Sequence, residues 1–232
     1  MFYLSSSVLG SIRKISSSPT DAKFATGSED GAVSIWDFAT ATKESDFRDH
    51  GWDVNGVAWH PFYSLVASCS KDNTIKLFDP RATSTTKSTL FGHNNNVHEV
   101  CWSPSGNLLA SGGRDYLVKI YDIRKMKEIS THRGHEKAVT TLAFHPLCDN
   151  LLLSGSLDGM LIYWMPAHMR EPHTLLRRAH NYFAVSTIAW HPTGLMLASA
   201  GNDGFVKFWH RAPPGQPSFN PSGERGSIEM VG

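Results

Sequence analysis

His135, Ser154, Asp158 and Trp164 stand at spacings that return further along the chain as His180, Ser199, Asp203 and Trp209. Serine, histidine and aspartate together are the side chains of nucleophilic hydrolysis: the carboxylate orients the imidazole, and the imidazole takes the hydroxyl proton. The pattern does not stop at two copies. Turn aspartates at Asp30, Asp72, Asp115, Asp158 and Asp203 are separated by 42, 43, 43 and 45 residues. Four residues before each lies a hydroxyl (Thr26, Ser68, Ser111, Ser154, Ser199), and six residues after each lies an aromatic (Trp36, Phe78, Tyr121, Trp164, Trp209). In repeats two to five a histidine precedes the aspartate by 22 or 23 residues, at His50, His93, His135 and His180.

A catalytic constellation occurs once and needs an oxyanion site and a substrate cleft besides. One that returns with every repeat has a structural task. A partly buried turn carboxylate must be hydrogen-bonded, and imidazole, hydroxyl and indole can form a chain that satisfies it. The sequence therefore reads as non-enzymatic and free of cofactors, with no phosphate-binding glycine loop and no metal-ligand cluster beside these residues. Phe78 has no donor to offer, so the second repeat is expected to manage with a shorter chain. On that count Asp158→Ala should destabilise more than Asp72→Ala.

The elements that position these residues are strands. Val33-Ser34-Ile35-Trp36 and Phe205-Val206-Lys207-Phe208-Trp209 alternate with a period of two, which marks strands and not helices. Second strands run through Phe24-Ala25, Val66-Ala67, Leu109-Ala110, Leu152-Leu153 and Leu197-Ala198, each after a proline at Pro19, Pro61, Pro104, Pro146 or Pro192. Proline has no N–H and belongs at strand ends. Three of these prolines follow histidine (His60, His145, His191), which read as strand terminators. Short strands at a period near 43 residues predict an all-β chain of four-stranded propeller blades. The expected layout is an atypical lead-in over 1–10, five repeats over about 11–48, 49–91, 92–133, 134–178 and 179–211, and a tail over 212–232. That tail is rich in Pro, Gly and Ser and reads as a linker.

Composition narrows the function. The formal net charge is +1, so the chain lacks the basic footprint of an autonomous nucleic-acid binder. No apolar run reaches the roughly 20 residues that span a bilayer, and "MFYLSSSVLG" has no basic segment before its apolar residues and does not read as a secretory leader. Cys69, Cys101 and Cys148 are odd in number and widely spaced. They read as buried reduced thiols of a nuclear or cytosolic protein.

Loops carry function on a rigid scaffold, so the candidate interaction surface is the channel rim on the side of the turn aspartates. The residues just before those aspartates are Glu29, Lys71, Arg114, Leu157 and Asn202. Residues at the starts of the innermost strands join them: Arg13, Asp53, Asn55, Asn96, His98, Thr140 and Ser186. Both charge signs are mixed, which favours protein contact over RNA contact. Arg13, Lys71 and Arg114 are the basic candidates for the competing reading, a sequence-recognising RNA binder.

"SPTDAKFATGSEDGAVSIWDF", "WDVNGVAWHP", "SKDNTIKLFDPR", "YDIRKMKE", "AWHPTGLMLASAGNDGFVKFW" and "FWHRAPPG" resemble the WD-repeat subunits of the nuclear pre-mRNA cleavage and polyadenylation factor. The resemblance covers about Ser11 to Gly215. It implies a WD-repeat β-propeller and a nuclear, non-enzymatic scaffold subunit. The implied partners are a large multi-propeller scaffold subunit and a CCCH zinc-finger subunit, with pre-mRNA met only within the complex and no membrane contact. Such subunits have seven repeats and the match begins at the third, so five of seven blades are expected, as an open arc. Asp79-Pro80-Arg81 and Asp122-Ile123-Arg124 also resemble the WDxR box of substrate receptors for cullin-type ubiquitin ligases, which gives one alternative reading; another generic WD-repeat scaffold is the other.

Overall fold

The computed structural model describes residues 10–81, 86–166 and 172–210. The lead-in over 1–9, the tail over 212–232 and the exit segment after His210 lie outside the described residues. All nineteen described elements are strands.

They form five antiparallel sheets in chain order. Blade one holds β1 (Ile12–Ser17), β2 (Lys23–Ser28), β3 (Val33–Asp37) and β4 (Thr42–Phe47). Blade two holds β5 (Val54–Trp59), β6 (Val66–Ser70), β7 (Ile75–Phe78) and β8 (Thr86–Leu90). Blade three holds β9 (Val97–Trp102), β10 (Leu108–Gly113), β11 (Leu117–Asp122) and β12 (Lys127–Arg133). Blade four holds β13 (Val139–His145), β14 (Cys148–Ser156), β15 (Leu161–Trp164) and β16 (Thr174–Leu176). Blade five shows three strands among the described residues, β17 (Val185–Trp190), β18 (Met196–Gly201) and β19 (Val206–His210). Register slips by one residue near the start of every inner strand, for example between Ile12 and Lys14 and between Val54 and Gly56.

Successive blades touch through β1, β5, β9, β13 and β17. The hydrophobic core is accordingly not one mass but four slabs, each between two neighbouring blades. The first joins Ala25, Val33, Ile35 and Phe47 to Val54, Val57, Trp59, Val66 and Phe78. The same composition recurs at the other three seams. Strand alternation thus sends one set of side chains forward to the next blade and the other set back. A single blade would leave both faces wet, so stacking is what makes the fold stable.

The forward face must be flat where the next inner strand crosses it. A Cβ on Gly27 would lie 2.6 Å from Val54 and 2.7 Å from Val57, and Gly112 and Gly155 sit equally close to Val139 and Val185. The seams are tight in the middle of the chain and open at its two ends. Val33, Ile75, Val118 and Leu161 occupy one forward position and are at most 1% exposed, whereas Val206 in the same position is 61% exposed. Ile35, Leu77, Ile120 and Tyr163 are at most 5% exposed, against 62% for Phe208. On blade one's rear face Ile12 and Ile15 are 46% and 59% exposed, where Val54 and Val57 are 0% and 2%. The described residues form an open arc.

One expectation fails. Cys69 is buried, but Cys101 is half-buried and Cys148 exposed. Cys148 pairs with His145 across the tight β13–β14 turn, so it sits at a loop tip and not inside an apolar strand.

Candidate functional site

Each turn is pinned above its own inner strand in the same way. The residue before the turn aspartate donates its backbone N–H to the residue preceding the inner strand: Glu29 to Ser11, Lys71 to Asp53, Arg114 to Asn96, Leu157 to Ala138 and Asn202 to Ala184, at 2.7–3.0 Å. This fixes the aspartate over the mouth of its blade. His50 Nδ1 lies 2.7 Å from Asp72 and its Nε2 2.7 Å from Ser68. His93 joins Asp115 and Ser111 at 2.9 and 2.6 Å, His135 joins Asp158 and Ser154 at 3.1 and 2.6 Å, and His180 joins Asp203 and Ser199 at 2.9 and 2.7 Å. Trp164 and Trp209 donate their indole N–H to Ser154 and Ser199 at 2.7 and 2.8 Å.

One arrangement of protons runs through each histidine, with Tyr121 Oη and Asp203 Oδ2 left without a hydrogen bond. The indole donates to the serine oxygen, the serine hydroxyl donates to Nε2, and Nδ1–H donates to the carboxylate. Ser–Nε2 and Nδ1–Asp is also the connectivity of a hydrolase triad. The serines, however, are at most 1% exposed, so no substrate carbonyl reaches them, and in blades four and five the indole also occupies the oxygen. The geometry serves to satisfy a buried turn.

Blade one departs from the pattern. Thr26 accepts from Trp36 at 2.9 Å, but Asp30 is not joined to that pair. Its carboxylate accepts from the Ser28 hydroxyl and from the Ala32 N–H at 3.2 Å, and pairs with Arg48 at 3.3 Å. No imidazole bridges the gap here, and a guanidinium from the following loop takes its place.

Blade two has the shorter chain, His50 with Ser68 and Asp72 and no indole, but its carboxylate is well served. Phe78 offers nothing, yet Asp72 accepts four donors: His50, the Gly51 N–H at 3.2 Å, the Thr74 N–H at 2.9 Å and the Thr74 hydroxyl at 2.6 Å. Asp158 accepts three, from His135, Glu136 and Met160. Burial alone would raise these carboxyls, but the hydrogen bonds outweigh it and hold Asp72, Asp115, Asp158 and Asp203 below the usual carboxylate range. A lowered native pKa adds stability above the unfolded value of about 3.9, and that stability is lost as pH falls through the native value. Thermal stability should therefore decline below about pH 4, and Asp72→Asn should flatten that acid limb. An unchanged slope in a pH series of melting curves would refute the assignment.

At the rim, charges are spent locally. Arg13 pairs with Glu29 at 2.6 Å and Lys71 with Asp53 at 3.7 Å. Asn55 reaches the Val97 carbonyl of the next blade at 2.8 Å, and Thr140 reaches that of Val185 at 2.5 Å. Ser186 donates to Asn202 at 2.8 Å. Burial, with Arg114 adding, lowers the His98 pKa. Trp52, Tyr116, Leu157, Tyr182 and Phe183 are exposed on this same face, and Lys71 lies over the Trp52 ring at 5.6 Å. Sequence reasoning chose the polar rim, Leu157 included, and missed the four aromatics, although Trp52 and Tyr182 each stand two residues after a lead-in histidine.

The opposite face carries seam locks that were also missed. His60 Nε2 donates to the Gly106 carbonyl of blade three and His145 to Gly194 of blade five, both at 3.1 Å. His60 Nδ1 accepts the N–H groups of Phe62 and Tyr63 at 3.0 and 2.9 Å. Two of the three His-Pro pairs therefore do more than stop a strand, while the His191 ring bonds only Thr193 in its own loop. Lys14 crosses from blade one to blade three and meets Glu99 at 2.7 Å, at the edge of a cleft of about 340 Å³. Burial raises the Glu99 carboxyl although Lys14 opposes it.

The Asp–Arg pairs after the third strands are local caps. Arg81 and Arg124 donate backbone N–H to Asp79 and Asp122 at 3.0 and 2.9 Å, as Ala39 does to Asp37 at 2.7 Å. The motif is turn chemistry shared by three blades.

Comparison with known proteins gives this architecture its kin. The family described as "WD domain, G-beta repeat" matches residues 4–37, 41–79, 84–122, 126–164 and 171–210. Proteins named polyadenylation factor subunit 2 are similar over most of the chain. That of Gibberella zeae is 38% identical, over 79% of this chain and 34% of its own length. That of Neurospora crassa is 36% identical, over 83% and 33%. Eukaryotic translation initiation factor 3 subunit I of Drosophila grimshawi is 23% identical, over 82% and 48%. The chain spans about a third of the length of the polyadenylation-factor relatives. With five matched repeats stacked as five blades, the chain belongs to the WD-repeat family.

Proposed function

We propose that this chain is a non-catalytic WD-repeat scaffold of the nuclear machinery that cleaves and polyadenylates mRNA 3′ ends, holding protein subunits together during recognition of the polyadenylation signal. The relatives named polyadenylation factor subunit 2 support the process. The observation that carries the mode of action is the rim. Two of its three basic candidates are neutralised by its own acids, Arg13 by Glu29 and Lys71 by Asp53, beside exposed Trp52, Tyr182 and Phe183. Aromatic anchors with few free charges suit a protein partner. Phosphate binding follows the number of unpaired cations that converge. The large multi-propeller subunit and the CCCH zinc-finger subunit are the proposed partners, and RNA is met only in their company.

Two measurements test this. The isolated chain, titrated with labelled AAUAAA-containing RNA and a scrambled control at physiological salt, should bind both weakly and alike. Clear preference for the signal would mean that the rim aromatics stack on bases. In pull-downs the chain should retain polyadenylation-factor subunits and lose them when Trp52 and Phe183 are both changed to alanine. Recovery of a cullin-ligase adaptor in their place would support the receptor reading.

A further inference from the structure

We propose that the loops above blades three and four form a docking site for an acidic segment of a protein partner, one that carries an apolar anchor among its carboxylates. This rests on the protein-scaffold reading given above and names the chemistry of what the scaffold holds. Every loop in the site sits between two described blades.

Backbone strain is the first observation. The residue after each turn aspartate is left-handed: Gly31, Asn73, Tyr116, Gly159 and Gly204 have φ between 68° and 80°. Glycine takes that conformation freely, whereas a residue with a Cβ is strained in it. Blade three nevertheless places a tyrosine there. Tyr116 is 48% exposed, so packing offsets little of the strain. The loop before blade five does the same, with φ of 58° at Arg178, 48° at Asn181 and 66° at Tyr182. Strain of this kind gathers at binding sites.

Charge is the second observation. Arg114, the unpaired arginine of the rim, is continued outward by Arg133, Lys137, Arg177 and Arg178. All five are exposed, and none joins an ion pair among the described residues. The fold makes them neighbours. Arg133 pairs with Leu117, beside the turn that carries Arg114 and Tyr116. The Lys137 carbonyl accepts the Ser156 hydroxyl at 3.1 Å, which ties its loop to the turn of blade four. A Cβ on Gly159 would lie 2.8 Å from the Tyr182 Cα, so the next loop rests on that same turn. Exposed Leu157 and Phe183 supply the apolar centre. Cations around an apolar centre complement carboxylates around an apolar side chain.

The same surface suits RNA less well. Exposed Glu136 stands within the belt of cations, and a continuous phosphate backbone must pass it. Arg178 also lies over the Tyr182 ring at 5.2 Å, with its Nε–H donating to the hydroxyl at 2.6 Å. Bases need open ring faces, whereas a peptide places its charges selectively.

The test titrates the chain with a fluorescein-labelled peptide, Asp-Glu-Asp-Phe-Glu-Asp-Glu, with its lysine counterpart, and with an oligouridylate of matched charge. The acidic peptide should bind and the basic one should not. Lys137→Glu with Arg177→Glu should weaken acidic-peptide binding about ten-fold or more. Arg124→Glu with Lys125→Glu, the same change of charge on the opposite face, should leave it within about two-fold. Tyr116→Gly separates binding from folding, since it relieves the left-handed strain. That variant should melt no lower than the parent and yet bind the peptide several-fold more weakly. Equal affinity for the two peptides overturns the proposal, as does acidic-peptide binding that survives the Lys137 and Arg177 changes or Tyr116→Gly. Oligouridylate bound more tightly than the peptide, and lost with the same variants, would assign the site to RNA. A chain that retains polyadenylation-factor subunits but ignores the acidic peptide sinks this inference alone. One that retains none of them sinks the scaffold reading beneath it.

Discussion

Replacing Asp72 by alanine is expected to cost about 2–4 kcal/mol, and at least as much as Asp158→Ala. For a chain of this size that is a loss of roughly 5–15 °C in melting temperature. The carboxylate satisfies the buried His50 Nδ1–H, the Gly51 N–H and both donors of Thr74. Alanine leaves all four to find water or go without. Asp158 loses three partners, while Ser154 and Trp164 keep His135 and each other. The order is thus the reverse of the one expected from the missing indole at Phe78. Asp30→Ala should be milder, since no imidazole depends on it. If calorimetry shows Asp158→Ala to be clearly the worse of the first two, the partner count is the wrong measure.

Gly106→Ala should be at least as damaging, at about 3–5 kcal/mol, and Gly204→Ala provides its control. Gly106 has φ of +74° and Gly204 of +80°, so alanine is strained at both by about 1–2 kcal/mol. Around Gly204 there is open space, whereas a Cβ on Gly106 would lie 2.4 Å from Cε1 and Nε2 of His60. His60 is buried and cannot yield without giving up the Gly106 carbonyl and the two N–H groups it accepts. The second seam lock repeats the arrangement, with Gly194 at 2.4 Å from His145. Equal losses at Gly106 and Gly204 would show that the imidazole moves aside freely.

These cases show what the sequence discloses. His50, Ser68 and Asp72 were legible because they recur at fixed offsets within one repeat, and a period of about 43 residues exposes them. The seam locks were not, because their partners lie one blade away: His60 to Gly106 spans 46 residues and His145 to Gly194 spans 49. Blade three uses a different device, with the Ser105 N–H donating to Asp149 at 2.9 Å. Lys14 and Glu99 are two blades and 85 residues apart. Arg48 replaces a histidine with a side chain of another type on the other side of its aspartate in the chain. Local chemistry is written as a pattern, while chemistry between blades depends on three-dimensional neighbours that no single repeat names.

The seams also impose a schedule on synthesis. Each forward face is covered only by the blade that follows it, and that blade is complete only about 43 residues later. At ribosomal rates of about 5–20 residues per second, a finished blade waits roughly 2–9 s with its forward side chains in water. During that interval Val33 and Ile35, and later Ile75 and Leu77, are free to meet whatever is nearby. The small residues at the centre of each face, Gly27, Cys69, Gly112 and Gly155, leave less apolar surface on offer in the meantime. A glycine that a packed seam requires is therefore also a means of limiting premature sticking while the ribosome catches up.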